Sequence, residues 1–330
     1  MRSRIISIGG TSGLLLVMAV GSVFAQQNSK INGYPDRPVR VIVPVTAGGG
    51  SDIIARIVLS RLSESFKQQF VVDNRPGAGG ILGNEIVAKA PPDGYTLLFT
   101  YAGHTIVPFI YNSVPYDVYK DFAPVSLAGS KPLLLTIHPA VKANSVEELI
   151  ALVKARPDEL NVALATSSSS GALAAELFKM LTNTKIVSIP FKGGGLALTA
   201  LISGEVQLIF STPVAVIPFL GSGKLKVIGT SGKERVPYLP DVPTLAESGV
   251  KDLNTAPWEG LLAPAYTPGG IVDKLYKQVV AALKTPYVRE RFAASGTNAV
   301  GSTPQEFAAQ INRELEQNRK VIKAAGIKAD

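Results

Sequence analysis

The sequence predicts an α/β protein with parallel sheets, and three observations carry that expectation. Short apolar, β-branched runs alternate with stretches of helical periodicity, in the order strand–helix–strand–helix–strand from Val39 to Thr100. That rhythm implies right-handed crossovers onto a parallel sheet. The pattern then restarts near residues 121–127, and 330 residues exceed what one ordinary core holds, so two domains are expected. The joints from strand to helix are built of glycine and serine, the residues that allow a tight turn onto a helix N-terminus.

The first joint organises the rest. Val39 to Val45 reads as a buried strand, Thr46-Ala47-Gly48-Gly49-Gly50 as a turn, and Ser51 and Asp52 as the cap and first-turn acid of a helix. Ile54, Ile57, Val58 and Leu62 then fall on one helical face. Unpaired N–H groups and the helix dipole converge at such a joint and suit an anion. The loop lacks the Lys-Ser or Lys-Thr of a phosphate-binding P-loop. Ile53 also stands where the dinucleotide fingerprint needs its last glycine. A glycine triplet alone is equally consistent with a turn that binds nothing. Asp52 reads first as a helix-capping acid and only second as a catalytic one.

Phe70 to Asp73 is the second strand, residues 74–80 a glycine-rich loop, Leu82 to Ala90 a helix and Thr96 to Thr100 the third strand. Tyr101 to Thr105 follow at its carboxyl end, where open α/β sheets place ligands. His104, one of two histidines, has no serine–acid spacing around it and reads as a polar pocket wall rather than a catalyst. His138 reads as a strand-end surface residue.

In the second half, Leu133 to Ile137 is a strand and Ser145-Val146-Glu147-Glu148 a capping box that opens the helix to Ala155. Asn161 to Ala165 is a strand. Thr166-Ser167-Ser168-Ser169-Ser170-Gly171 then repeats the logic of the glycine loop before the helix from Ala172 to Leu181, a flexible serine linker being the alternative. Ile186 to Pro190, Leu208 to Phe210 and Leu225 to Gly229 are further strands, and Ser211 opens the helix after the second of them. Thr244 to Gly249 reads as a short helix stopped by glycine. Pro257 to Pro264 reads as a strand returning to the first domain, with the single tryptophan, Trp258, packed near the junction. Three helices complete the chain, the last opened by Thr303-Pro304-Gln305-Glu306. The charges from Glu314 to Lys323 read as its solvated face. The domains expected are 26–126 with 254–330, and 127–253.

The first 25 residues read as an export signal. Arg2 and Arg4 precede the apolar run Leu14 to Val20, and Val23-Phe24-Ala25 ends in a small residue, giving cleavage after Ala25 and a periplasmic protein. An N-terminal anchor is the alternative, disfavoured by the short, glycine-broken run. The chain has no cysteine, which excludes thiol catalysis, disulfides and lipid attachment at an N-terminal cysteine. Removal of Arg2 and Arg4 takes the net charge from +8 to +6. The basic residues form no block, so nucleic acid is not an expected partner. Nothing in the sequence calls for a cofactor or a metal.

Several stretches together resemble the substrate-binding proteins of tripartite tricarboxylate transporters, the Bug or TctC-like family. They are Tyr34 to Pro38, Pro44 to Asp52, Asn74 to Gly80, Asp93 to Leu98, Lys120 to Val125, Leu239 to Thr244 and Gly260 to Pro264, and the likeness runs over essentially the whole mature chain. The resemblance implies a two-domain, Venus-flytrap architecture of type II kind with crossing hinge strands. It also implies a non-enzymatic, monomeric protein that closes on a small carboxylic acid and delivers it to membrane permease subunits. The site it implies is Thr46, Ala47, Gly48, Gly49, Gly50 and Asp52 on one loop and Thr166, Ser167, Ser168, Ser169 and Ser170 on the other, with Ser211 alongside, and Tyr101 and His104 join the expected site from their place at the end of the third strand. The chain departs from the family where a glycine- and histidine-containing loop is usual, having a serine run with Ala172 at the place of the histidine. Ser211 likewise stands where an acid is frequent, which turns the expectation from amino acids toward plain carboxylic acids. Neither loop carries arginine or lysine, so N–H groups, hydroxyls and waters are expected to hold the anion without an ion pair. A secreted hydrolase-like enzyme and a ligand-presenting signalling subunit are the competing functions.

Overall fold

A computed structural model describes residues 33–48, 50–165, 169–191, 193–232, 234–236, 238–253 and 256–328. The expected export signal, Gly49, Thr166, Ser167 and Ser168 lie outside the described residues.

The first half runs β1 (Val39–Val43), α1 (Gly50–Phe66), β2 (Phe70–Asn74), α2 (Ile81–Ala88), β3 (Thr96–Tyr101), α3 (Gly103–Ile110) and β4 (Phe122–Ser130). The second is β5 (Leu134–Ile137), α4 (Val146–Ala155), β6 (Asn161–Leu164), α5 (Ser170–Thr182), β7 (Val187–Pro190), α6 (Gly194–Ser203), β8 (Leu208–Ser211), α7 (Pro213–Leu220) and β9 (Lys226–Thr230). The chain then returns through β10 (Trp258–Pro264), α8 (Gly269–Leu283), α9 (Pro286–Ala294), β11 (Asn298–Ala299) and α10 (Pro304–Ala325).

Two sheets result, ordered β11-β4-β10-β3-β1-β2 and β7-β6-β8-β5-β9. They share one plan. In each, the first strand of the crossover unit lies between its second and third, all parallel (β2-β1-β3 and β7-β6-β8). An antiparallel strand then adds beside the third, β10 in one sheet and β5 in the other. β5 and β10 are the first strands entered after each passage between the sheets.

Strand pleating divides the first core. Val39, Val41 and Val43 face Ile54, Val58 and Leu62 of α1 and Leu275 and Val279 of α8. Ile42 and Leu98 face the opposite layer, with Trp258 and with Phe307, Ile311 and Leu315 of α10. Trp258 is fully buried, as its position near the junction suggested. The far end of α10 belongs elsewhere: Val321 and Ile322 pack into the second half's core with Leu173, Leu177 and Phe178 of α5. One helix therefore closes both cores.

Three local readings differ from the structure. β4 continues through Ser130 in the first sheet, so the expected boundary after residue 126 falls inside a strand. Thr244 forms a parallel bridge to Thr230 and residues 245–249 form successive turns rather than a helix, because the Thr230 N–H bonds to Pro243 O and the Leu245 N–H to Thr230 O, tying the segment to the end of β9. Residues 103–110, with Pro108 inside, form the short helix α3, which the sequence reading did not contain.

Candidate functional site

The first loop leaves β1 at its carboxyl end. There α1 departs over one face of the sheet and α3, following neighbouring β3, over the other, as the two core layers show. Such a reversal opens a crevice where α/β sheets bind ligands. Thr46, Ala47, Gly48 and Gly50 are exposed along its edge. Gly48 has φ +80 with open space where a side chain would begin, so its backbone takes a conformation that L-residues resist.

Asp52 is placed beneath the loop, not in the crevice. It is buried; its Oδ2 accepts from the Gly48 N–H at 2.8 Å and Arg56 Nε at 2.9 Å, and its Oδ1 from Asn74 Nδ2 at 2.9 Å. Asn74 Nδ2 also donates to Val45 O at 3.1 Å, and Arg56 Nη2 to Asn74 Oδ1 at 3.0 Å. Burial alone would raise the Asp52 pKa, but the hydrogen bonds from Arg56, the Gly48 amide and Asn74 outweigh it and hold the carboxyl below its usual range. With both oxygens engaged by its own chain, Asp52 shapes the loop. Asn74 and Arg56 fix the same loop from positions the sequence gives no role in the site. Nothing local marks them as partners.

The second loop repeats the arrangement on the other sheet. Ser169 caps α5, accepting from the Ala172 N–H at 3.1 Å, and Ser170 is half-buried in the first turn. Ser211, at the carboxyl end of β8, pairs with Leu134 across β5. A Cβ at Gly171 would lie 2.4 Å from Phe210 O, so this glycine permits the α5 N-terminus to rest against the end of β8. The approach of Gly171 to Phe210 sets the first turn of α5, with Ser169 and Ser170, next to the strand end that carries Ser211.

Tyr101 and His104 both have partners inside the protein, and the expectation for His104 is corrected. Tyr101 Oη donates to Gly79 O at 2.9 Å and its ring packs over Gly103, so it braces the second glycine-rich turn. His104 is buried within α3, its Nδ1 3.1 Å from Asn84 Nδ2, its ring stacked on Tyr116 and edge-on to Phe122. It belongs to the core and not to a pocket wall, because α3 turns that face into the layer holding Ile42 and Trp258. Burial pushes its pKa down to about 3, so the ring is neutral.

Between the loops the two connecting segments cross. The Lys131 N–H donates to Pro257 O at 2.8 Å, the Ser231 N–H to Leu133 O at 2.8 Å, and the Leu133 N–H to Ser231 Oγ at 2.9 Å. At the crossing, Lys131 Nζ meets Glu259 Oε1 at 2.6 Å, and Ser51 Oγ of the first loop's helix donates to the same oxygen at 3.2 Å. On the opposite face of β10, Trp258 Nε1 donates to both carboxylate oxygens of Glu314 at 3.0 and 2.8 Å, and Thr105 Oγ1 donates to Oε2 at 3.0 Å. Glu314 therefore faces inward, contrary to the expected solvated face of α10, and burial raises its pKa in spite of those bonds. Ser170 shares with Ala102, Thr105 and Glu314 a hollow of about 20 Å³, room for one water, so the α5 N-terminus faces the first half of the molecule.

Two helix N-termini, one on each sheet, thus present backbone donors beside a crossing that carries a buried ion pair. The chain matches the tripartite tricarboxylate transporter family receptor over residues 54–327. It belongs to that family. Protein BugT of Bordetella pertussis is 37% identical over 301 residues, covering 89% of this chain and 91% of that protein. A structure of R. palustris Rpa4515 with adipate shares 35% identity and a TM-score of 0.74, covering 90% of this chain and 100% of that one. MatC (Rpa3494) from Rhodopseudomonas palustris with bound malate shares 33% identity and a TM-score of 0.71, covering 88% and 100%. The family is one of solute-binding proteins with this two-sheet α/β architecture.

Proposed function

We propose that this chain is an extracytoplasmic binding protein that captures a small carboxylate and presents it to the permease subunits of a tripartite tricarboxylate-type transporter. The observation that carries the proposal is the pair of strand–loop–helix N-termini, one at the switch point of each sheet, in a family whose similar members hold adipate and malate. Hydrogen bonds to a charged group contribute on the order of 1.5–3 kcal/mol each, so a few amides and hydroxyls provide useful affinity. In this reading the signal is removed after Ala25 and the monomer acts in the periplasm. Two units, built around the two sheets and joined at the crossing of 131–133 with 256–258, close over the solute.

The enzyme alternative has little support. His104 is neutral and walled in by Asn84, Tyr116 and Phe122, with no carboxylate bonded to it among the described residues, and His138 Nδ1 accepts from the Ala140 N–H. Neither histidine activates a serine in the hydrogen bonds described.

Native purification followed by denaturation and small-molecule mass spectrometry tests the proposal. The expected result is a stoichiometric carboxylic acid of unchanged structure, carried by a protein whose intact mass begins at Gln26. A neutral co-purifying solute, or conversion of added carboxylates to products, would contradict it.

A further inference from the structure

We propose that Lys131 supplies a cation to the ligand site and that Glu259 positions it, so that the solute's carboxylate at the first loop is met by an ammonium as well as by amides. The proposal rests on the carboxylate-binding reading above. It revises the expectation that the anion is held without an ion pair, an expectation drawn from the two loops alone.

The geometry begins with a shared oxygen. Glu259 Oε1 accepts from Lys131 Nζ at 2.6 Å and from Ser51 Oγ at 3.2 Å. Ser51 is the second residue of α1, directly after the exposed Gly50. The ammonium and the first turn of α1 are therefore neighbours across one atom, and a carboxylate drawn to that turn by its N–H groups comes within reach of Lys131. Among the described residues Glu259 is the one acceptor bonded to Nζ, which leaves the ammonium further N–H donors to offer.

Stability does not account for the pair. Lys131 is 9% exposed and Glu259 3% exposed. Charges this deep lose hydration that their mutual attraction restores only when every remaining lone pair is also satisfied. Here that condition fails, because Glu259 Oε2 is buried without a hydrogen-bond partner. Replacing such a buried pair by well-packed apolar side chains is often neutral or stabilising. The more accessible member of the pair is the lysine, the one a ligand anion needs.

The arrangement also has a logic of charge. Without Glu259, a bare ammonium would sit in a buried site when no solute is bound. With it, the empty site is neutral, and Glu259 competes with the solute for Lys131 and for the α1 N-terminus. Removing the glutamate charge should therefore strengthen anion binding, whereas removing both charges should weaken it. A pair with only a structural role cannot produce opposite signs from two substitutions at one contact.

The test is titration calorimetry with succinate, malate and adipate as probes, on wild type, Glu259→Gln and the double variant Lys131→Met/Glu259→Gln, at pH 6.5 and two salt concentrations. The double variant leaves no unpaired buried charge, so it should fold, with circular dichroism and the melting temperature as checks. For the best-bound probe, Glu259→Gln should bind roughly three- to tenfold tighter, with a steeper salt dependence than wild type. The double variant should bind about tenfold or more weaker, the loss of one charge-assisted hydrogen bond. Equal affinity in the double variant and wild type, or weakening in both variants, would overturn the role of Lys131 while leaving the binding-protein reading intact. Failure of wild type to bind any of the three probes would remove the carboxylate reading and this proposal with it.

Discussion

His104 is held in the one protonation state its surroundings permit. Its Nδ1 lies 3.1 Å from the side-chain amide of Asn84, and its Nε2 has no hydrogen-bond partner among the described residues in the layer of Tyr116 and Phe122. Burial lowers its pKa to about 3 from an ordinary value of 6.5. In the unfolded chain the ring takes up a proton below about pH 6.5, while in the folded protein it stays neutral. Stability associated with His104 is thus intact above that pH and declines as the pH falls toward 3, by about 1.4 kcal/mol for each unit within the window. Glu314 acts with the opposite sign, since burial raises its pKa and the folded form gains a proton before the unfolded one. Comparing His104→Gln with wild type separates the two. Denaturant unfolding at pH 7, 6, 5 and 4 should show the wild type losing stability relative to the variant at each step. Parallel curves would mean that His104 is protonated in the folded state.

At the scale of elements, the joint between α5 and β8 is the most demanding contact of the site. Gly171 leaves no room for a methyl group, because the nearest obstacle is the backbone oxygen of Phe210 and not a movable side chain. Gly171→Ala should force the helix N-terminus from the strand end, costing about 1–3 kcal/mol as overpacked positions do. It should also separate Ser169 and Ser170 from Ser211 and weaken carboxylate binding. Ser169→Ala removes a cap and should cost about 1 kcal/mol with a smaller effect on binding. Thermal melts and calorimetry on both variants check the order; equal or reversed effects would show that the contact does not position the site. Joints of this kind were readable in the sequence because their causes are local. Thr303 accepts from the Glu306 N–H while the Glu306 carboxylate accepts from the Thr303 N–H, as the spacing Thr303-Pro304-Gln305-Glu306 requires. Ser145 accepts from the Glu148 N–H as expected, although the Glu148 carboxylate takes the Asn144 N–H instead. What was not readable depends on topology. Lys131 and Glu259 lie 128 positions apart, Thr105 and Glu314 209 apart, and only the pairing of β10 with β4 and the packing of α10 on α3 bring them together. Asp52 and His104 were legible as polar residues near strand ends but not as buried ones, since a side chain's direction depends on which layer covers its helix.

At the scale of the whole molecule, the crossing at 131–133 and 256–258 is the natural axis for closure of the two proposed units, as in hinge-bending binding proteins. Small-angle scattering should report a smaller radius of gyration on addition of the best-bound carboxylate; an unchanged profile at saturation would mean that the solute enters a preformed site. Motion about this axis is constrained by α10, whose early turns pack in one core through Phe307, Ile311 and Leu315 and whose late turns pack in the other through Val321 and Ile322. The same helix, with β10, has a consequence for how the protein is made. During synthesis the ribosome delivers β3 and β4 long before β10, the strand that must lie between them in the finished sheet. The strands of the second half are consecutive, so that sheet can assemble while the first is still open at its centre. Both cores then wait for α10. The first half to emerge is the last to be completed, and until the final turns leave the ribosome the nascent chain exposes apolar surface that a chaperone can hold.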